Sequence, residues 1–237
     1  MLAETPSFER PSLTDAAYKA IRDHILHGVL PPDHKLVVAD LVDQWKISNT
    51  PIKEALNRLV ADELVVALPR RGMRVRKYEP GETREIFELR TLYETHCIRL
   101  LAERVRQHPD VLDRLSKALA GGGNILDGEE VTFDLPDFDA DFHFTIVGQC
   151  GNETLIKNFH RLHAHTFAMG SAIKENSSFE RWEETHKEHE KIFRALAKGD
   201  PDRAETAMRT HLEKTCASVL GLLKARSRRL KARNEGA

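Results

Sequence analysis

Two histidines, His189 and His211, lie at nearly equal distances on either side of a Lys-Gly-Asp-Pro turn at residues 198–201. If the chain folds back at this turn, two antiparallel helices bring both imidazoles to the same level. Asp139 and His143 lie four residues apart on an earlier segment, so on a helix they share one face. Imidazole nitrogens and a carboxylate oxygen are ligands for divalent metals. These four residues are therefore candidate metal ligands.

The helices that would carry these residues are amphipathic, and each candidate ligand falls in the apolar stripe of its helix. A lone histidine on such a face is more often a core residue than a ligand. Three histidines and an aspartate on three faces are harder to explain in that way, and a buried carboxylate needs a counter-charge that a metal supplies. Spacing alone leaves a metal site and an ordinary core as equal alternatives.

Arg90 shares a helical stripe with Phe87, Cys97 and Leu101, which predicts that it faces inward. An inward arginine either pairs with a buried acid such as Glu94 or contacts an anionic ligand. The residues alone favour neither interpretation.

A further histidine cluster lies at residues 160, 163 and 165. His163 and His165 point about 200° apart on a helix, so they cannot bind one ion together. His160 and His163 share a face, and one of them could approach the candidate metal site.

The composition is that of a soluble, helix-rich protein, with 41% hydrophobic and 31% charged residues in 237. No apolar run approaches the roughly 20 residues of a membrane-spanning helix, and the N-terminus lacks the apolar core of a signal peptide. The cysteines are odd in number and far apart, which fits a reducing compartment better than a disulfide framework. We expect a cytoplasmic protein with no membrane partner.

The N-terminal segment has the pattern of a helix-turn-helix followed by a hairpin. Apolar spacing predicts helices over 13–26 and 38–45, and a Thr-Pro pair at 50–51 opens a third helix after a short turn. Two β-prone runs, 64–68 and 73–76, flank a Pro-Arg-Arg-Gly turn. Together these elements predict a winged helix-turn-helix that binds double-stranded DNA.

Such a domain inserts the N-terminal end of its second helix into the major groove, where side chains contact bases and phosphates. The residues exposed at that end would be Ser48, Asn49, Thr50 and Lys53. Arg71 and Gly72 would lie at the wing, close to the DNA backbone or minor groove. Residues 44–78 include eight basic and three acidic residues, in a chain of net charge −1. Charge alone is more typical of an ordinary solvated face, so the motif carries the DNA-binding prediction.

The remainder of the chain is predicted to be an antiparallel bundle of six helices, over 82–107, 109–120, 136–149, 152–175, 178–198 and 201–228. The Gly-rich, acidic stretch 121–135 is predicted to be a loop. The fold class is therefore mostly α, a winged helix-turn-helix plus an all-α bundle. The predicted divisions are a disordered N-terminus (1–11), a DNA-binding domain (12–78), a linker (79–81), a helical effector domain (82–228) and a basic tail (229–237).

The string SNTPIKEAL at 48–56, with RRGMRV at 70–75, resembles the winged helix of the GntR family. The usual family string is SRTPVREAL, followed by a wing that ends in N-R-G-x-x-V. Asn49 and Lys53 stand where the family usually has arginine, and both positions commonly contact DNA. The family's operator sequence therefore cannot be carried over, and the preference for guanine is expected to be weaker.

The C-terminal part resembles the FCD ligand-binding domain, the all-helical effector domain of FadR-like GntR regulators. The matching strings are FELR at 87–90 with Glu94, Asp139 with Phe142-His143, Gly151-Asn152, Glu188-His189 and His211-Leu212. The resemblance covers about residues 12–225. Six helices rather than seven resemble the VanR-type subgroup.

This resemblance implies that Asp139, His143, His189 and His211 bind a divalent ion, most often zinc or nickel. It implies that a small organic acid coordinates the metal and contacts Arg90. It also implies a homodimeric regulator, usually a repressor, that releases a palindromic operator.

The alternative is a metal-dependent, hydrolase-like enzyme that uses the same four ligands. That interpretation lacks a clearly positioned general base and leaves the winged helix without a role, so the prediction is that the chain is not an enzyme. A purely structural metal is a third alternative.

Overall fold

The computed structural model describes residues 12–126, 135–171 and 179–235. The chain divides into two compact units, Met1–Lys77 and Tyr78–Ala237. The elements of the first unit are α1 (Leu13–Leu26), β1 (Lys35–Leu36), α2 (Val38–Trp45), α3 (Asn49–Ala61), β2 (Val65–Leu68) and β3 (Gly72–Val75). Those of the second are α4 (Pro80–Arg104), a 3-10 turn (Val105–Gln107), α5 (Pro109–Leu126), α6 (Leu135–Val147), α7 (Glu153–Ser171), α8 (Phe179–Ala197) and α9 (Pro201–Glu235).

The first unit is a helix-turn-helix built on α1. A capping box between Ser12 and Asp15 starts α1, and its buried face packs against α3. The turn between α2 and α3 is made by Lys46, which adopts the left-handed conformation with φ 57°. Ser48 is the N-cap of α3, and Pro51 fits the first turn, where its missing N–H leaves no helical hydrogen bond unmade. The helices predicted for this unit are confirmed.

The wing is a three-stranded antiparallel sheet in the order β1-β3-β2. In the predicted hairpin, Leu68 pairs with Gly72, and the tip contains Arg70 and Gly72 with φ of 62° and 83°. Strand β1 pairs with β3. It was not predicted, because a strand of only two residues is too short to show alternating apolar and polar residues. The winged helix-turn-helix is therefore confirmed.

The second unit is the antiparallel helical bundle that the sequence predicts. Helix α4 packs along α9, α8 returns antiparallel onto α9, and α5 contacts both α6 and α8. Helix α7 packs against α4 and α6. Fully buried apolar residues on the six helices form one core: Ile98, Leu101, Leu115, Ile146, Phe159, Ile192, Leu196, Met208 and Leu212.

Three predicted boundaries were wrong. Helix α5 continues through Gly121–Gly123 to Leu126 and α6 begins at Leu135, so both ends of the predicted loop 121–135 are helical, because the low helix propensity of glycine is only a weak preference. Helix α9 reaches Glu235 because its last turns hold strong helix formers, so most of the predicted basic tail is helical. Helix α4 starts at Pro80, inside the predicted linker 79–81. The prediction for residues 1–11 lies outside the described residues.

No helix within the described ranges is long and apolar enough to span a membrane.

Candidate functional site

Four ligand-bearing side chains meet on three helices of the second unit. Their candidate donor atoms lie within 4.8 Å of one another and belong to Asp139 and His143 on α6, His189 on α8 and His211 on α9. Oδ1 of Asp139 is 3.8 Å from Nε2 of His143 and 3.5 Å from Nε2 of His189. The Nε2 atoms of His189 and His211 are 3.4 Å apart. The three imidazoles are buried and Asp139 is partly exposed, so the predicted cluster forms around one point.

The turn between α8 and α9 sets the levels of His189 and His211. Gly199 adopts φ +66°, a left-handed conformation that ends a helix without a Cβ clash. Its N–H donates to the carbonyl of Leu196, and α9 starts two residues later at Pro201. The two histidines therefore face each other as the hairpin geometry predicts.

Two buried glutamates contact the Nδ1 atoms of two of these histidines. Glu94 of α4 contacts Nδ1 of His143, and Oε2 of Glu188 lies 2.9 Å from Nδ1 of His211. A histidine that donates from Nδ1 to a carboxylate has a fixed ring and keeps its Nε2 lone pair for a metal. Sequence reasoning missed this arrangement, because Glu188 adjoins one ligand in the chain but contacts another on the neighbouring helix.

The donor set fits a divalent transition metal. Ligand atoms about 2.0–2.2 Å from a zinc ion lie roughly 3.0–3.6 Å from one another. The spacings of Asp139 to His189 (3.5 Å) and of His189 to His211 (3.4 Å) fall in this range. Nε2 of His143 is buried and has no hydrogen-bond partner among the described residues, as expected for a nitrogen directed at a metal.

The buried imidazoles are in the form that binds metals. Burial, followed by the charges of His211 and His143, lowers the pKa of His189 well below its usual value. Burial also lowers the pKa of His211, and its bond to Glu188 offsets only part of that effect. Both rings are therefore neutral at pH 7, and neutral imidazole is the metal ligand.

Arg90 is fully buried beside this cluster, and the structure shows the first of the two alternatives that the sequence left open, pairing with a buried acid. Its Nε donates to Oε1 of Glu94 at 2.7 Å, so it does pair with a buried acid. Its Nη2 is also buried and makes no hydrogen bond within the described part of the chain. Burial alone would raise the pKa of Glu94, but the charges of Arg90 and His143 outweigh it and hold that pKa far below its usual range. One donor of the guanidinium thus remains available to an anion.

His163 of α7 is a fourth buried histidine, next to the three histidines of the candidate metal site. Its ring centre is 6.1 Å from that of His143, and its Nε2 is buried without a partner in the ranges described. Burial, and then the charges of Arg90 and His143, lower the pKa of His163 well below its usual value. His163, rather than His160, is the residue that approaches the cluster, because the His160 side chain is exposed.

The residues predicted to contact DNA are all exposed in the first unit: Ser48, Asn49, Thr50, Lys53, Arg71 and Gly72. The first four lie at the N-terminal end of α3, and the last two lie at the turn between β2 and β3. Neither Lys53 nor Arg71 forms an ion pair with another described residue. Their charges are therefore available to phosphates or bases.

Polar contacts hold α3 in place against α1. Tyr18 donates to Asp62 at 2.6 Å, and the guanidinium of Arg58 lies 4.3 Å from the centre of the Tyr18 ring. Arg58 also pairs with Asp15 at 2.6 Å. Burial and the hydrogen bond to Asp62 raise the pKa of Tyr18 to about 12. These contacts fix the helix whose exposed end carries the candidate DNA-contacting residues.

Comparison with known families matches both units. Residues 85–214 match the FCD domain, and residues 13–75 match the family described as bacterial regulatory proteins, gntR family. The chain is 27% identical over 210 residues to the Nta operon transcriptional regulator of Aminobacter aminovorans, covering 86% of this chain and 92% of the relative. It is 30% identical over 199 residues to the HTH-type transcriptional repressor GlaR of Escherichia coli K12, covering 82% and 90%.

Solved structures show the same fold. A GntR transcriptional regulator of Rhodococcus sp. RHA1 has a TM-score of 0.76 at 20% identity, covering 89% of this chain and 99% of that one. E. coli McbR/YncC has a TM-score of 0.77 at 19% identity, covering 89% and 98%. The metal-free FCD domain of TM0439 has a TM-score of 0.50 at 18% identity, covering 63% and 99%.

A winged helix-turn-helix followed by an all-helical FCD domain is the domain combination of a class of bacterial transcriptional regulators. The chain belongs to the gntR family of bacterial regulatory proteins, in the group that carries an FCD domain. It is a DNA-binding transcriptional regulator and not an enzyme.

Proposed function

We propose that this regulator is a repressor that holds a divalent metal on Asp139, His143, His189 and His211 and senses a small organic acid. The acid would coordinate the metal and contact Arg90. Its binding would change the arrangement of two winged helices in a homodimer and release a palindromic operator. The single observation that carries the proposal is the convergence of four ligand atoms within 4.8 Å.

The surroundings of the four ligands support a metal rather than an ordinary polar core. Nδ1 contacts with Glu94 and Glu188 direct the Nε2 atoms of two histidines inward. Neutral imidazoles packed this closely gain little from one another, whereas an ion of zinc or nickel would satisfy all of them. TM0439 has an FCD domain whose structure is described as metal-free, which fits a domain class that also exists with metal.

Arg90 supports an anionic effector. A buried guanidinium with an unused Nη2 is a ready partner for a carboxylate, and Arg-carboxylate hydrogen bonds are among the strongest in proteins. Arg90 and the ligand His143 are linked through Glu94, so an acid that contacts the metal and Arg90 would bridge two neighbouring parts of one site. A small carboxylate is therefore the class of effector proposed.

The names of two relatives support the proposal of repression, and the geometry of a palindromic operator supports the proposal of a dimer. GlaR of E. coli K12 and NanR of Edwardsiella tarda are both named repressors. Two winged helices related by a two-fold axis would read two half-sites through Asn49, Thr50 and Lys53, with Arg71 and Gly72 near the backbone. The acid acts by population shift, because it must bind the released arrangement more tightly than the operator-bound one.

The metal is tested by elemental analysis of purified protein. The wild type should contain about one divalent ion per chain, and the double variant His189→Ala/His211→Ala should contain none. The control is His96→Ala/His186→Ala, which removes two histidines of the same unit that lie outside the cluster. Metal retained by the first variant would contradict the assignment of ligands.

Operator binding is tested by mobility shift on DNA from the upstream region of the regulator's own gene. Metal-loaded protein should shift this DNA, and the responsive member of a panel of small acids should reverse the shift. An Arg90→Gln variant should still bind DNA but should require a much higher concentration of that acid. Consumption of the acid by the protein would instead favour an enzyme.

A further inference from the structure

Buried polar atoms without partners are concentrated around the candidate metal centre. Most buried side-chain polar atoms in proteins are hydrogen-bonded, because leaving one unpaired is unfavourable. Within the described ranges, four buried side-chain atoms lack a partner, and three of them belong to Arg90, His143 and His163. The fourth belongs to Arg104, whose Nη2 donates to the carbonyl of Gln149. Most of the buried polar atoms without a hydrogen-bond partner therefore lie at this cluster, which indicates a ligand-binding site.

The three atoms have different roles under the proposed function. Nε2 of His143 is taken by the metal, and Nη2 of Arg90 is taken by the carboxylate of the effector. Neither accounts for Nε2 of His163, which is not one of the four ligands. The His163 ring is 3% exposed and lies 6.1 Å from the His143 ring between centres. A further polar group of an effector bound at the cluster would satisfy it.

The surroundings of His163 restrict the chemistry of that group. Its ring lies among three phenyl rings, with centres 4.6 Å (Phe144), 5.6 Å (Phe159) and 6.3 Å (Phe167) away. These rings offer no counter-charge. The charge of Arg90 does act on His163, but it is already shared between Glu94 and the first carboxylate, so a second carboxylate buried there would be poorly compensated for its lost hydration. A neutral imidazole nitrogen either donates or accepts a hydrogen bond, according to its tautomer. A hydroxyl group can accept from one tautomer and donate to the other.

We propose that His163 hydrogen-bonds a hydroxyl group of the effector, so that the acid sensed by this protein is a hydroxy acid. The inference rests on the proposed function, because it needs a carboxylate held at Arg90 and the metal. His163 then acts as a specificity residue that separates hydroxy acids from unsubstituted and dicarboxylic acids of the same length. The discrimination arises because an acid without the hydroxyl leaves Nε2 of His163 unpaired.

Titration calorimetry on metal-loaded, full-length protein tests this inference. The probes are straight-chain acids of three to six carbons in unsubstituted, 2-hydroxy, 3-hydroxy and dicarboxylic forms. A hydroxy acid should bind wild-type protein about tenfold or more tightly than the matching unsubstituted acid. The His163→Phe variant should lose about tenfold or more in affinity for that hydroxy acid and less than about threefold for the unsubstituted one. Its metal content should equal that of the wild type.

Two further variants keep the test independent of folding. His163→Gln retains a hydrogen-bonding group near the position of Nε2 and should keep part of the preference for the hydroxy acid. His160→Phe makes the same substitution one turn earlier, at an exposed position of α7, and should behave as the wild type. Metal-free His163→Phe should melt at a higher temperature than the wild type, because it replaces an unpaired buried polar ring by an apolar one.

Each outcome has a defined meaning. Equal affinity for hydroxy and unsubstituted acids in the wild type, or an unchanged preference in His163→Phe, would overturn the role of His163 while leaving the metal and carboxylate in place. A dicarboxylic acid as the tightest ligand would overturn the hydroxyl assignment. A wild-type protein that binds metal but none of these acids, or that binds no metal, would overturn the proposed function and this inference with it.

Discussion

Nε of Arg90 donates to Oε1 of Glu94 at 2.7 Å, while the other oxygen of the same carboxylate contacts Nδ1 of His143. One buried carboxylate therefore touches the arginine proposed to bind the effector and a histidine proposed to bind the metal. The charge of Arg90 holds Glu94 ionised even though both side chains are removed from water. A substitution of Glu94 should therefore alter both metal binding and effector binding.

Glu94→Gln tests this shared role. The substitution keeps the shape of the side chain but leaves the buried charge of Arg90 uncompensated, which should lower the free energy of unfolding by about 3 kcal/mol. Loss of the carboxylate behind His143 should weaken metal affinity by about tenfold to a hundredfold. Urea denaturation of metal-free protein and competition with a chelator measure the two effects. Glu88→Gln, at an exposed position of the same helix, should change neither; equal behaviour of the two variants would contradict this account.

The ligand cluster could be predicted from local rules, whereas the groups behind it could not. Helical periodicity places Asp139 and His143 on one face, and the Gly199 turn fixes the levels of His189 and His211. The positions of these four residues in the sequence were therefore enough to predict the cluster. Glu94 and His143 are 49 residues apart in the chain and lie on different helices, and no local pattern specifies which helices touch.

The same limit applies to the smaller elements of the fold. Strand β1 is two residues long and exists because β3 pairs with it, so its own residues carry no strand pattern. The end of α5 is helical despite three consecutive glycines at 121–123, because helix propensity is only a weak preference. His163 lies on a face shared with His160, and only the packing of α7 shows which ring is buried.

Lys53 and Arg71 should affect DNA binding in different ways. Lys53 lies at the end of α3 proposed to enter the major groove, so Lys53→Ala should cost about 1–3 kcal/mol at the operator and relax its sequence preference. Arg71 at the wing should contact phosphate, so Arg71→Ala should weaken specific and non-specific DNA alike and reduce the salt slope by about one.

Fluorescence anisotropy over a salt series separates these two roles. Lys19→Ala removes an exposed lysine of α1, outside both proposed contact regions, and serves as the control. An identical loss on operator and random DNA for Lys53→Ala would argue against base recognition by that residue.

Tyr18 should give the DNA-binding unit a defined loss of stability at high pH. Its folded pKa of about 12 lies above the unfolded value of 10, so the stabilisation is complete below pH 10 and is lost as pH rises through 12. Below pH 10, Tyr18→Phe should lower the free energy of unfolding by about 1 kcal/mol, because the hydrogen bond to Asp62 is removed. This difference should shrink between pH 10 and 12. The difference in phenolate absorbance between the wild type and Tyr18→Phe should titrate near pH 12; a difference that titrates near pH 10 would contradict the predicted shift.

Gly199 and Gly221 form a matched pair for testing the turn that aligns His189 and His211. Gly199 has φ +66°, and a Cβ there would approach the carbonyl oxygen of Ala102 at 3.5 Å, so the conformation rather than crowding opposes a side chain. Gly199→Ala should lower the free energy of unfolding by about 1–2 kcal/mol and weaken metal binding if the hairpin shifts. Gly221 is an exposed glycine within α9 with nothing within 4 Å of its added Cβ, so Gly221→Ala should instead raise that free energy by about 0.5–1 kcal/mol. If the left-handed turn is required, urea denaturation of the two variants should give changes in the free energy of unfolding of opposite sign. Changes of the same sign would show that the hairpin does not depend on the conformation of Gly199.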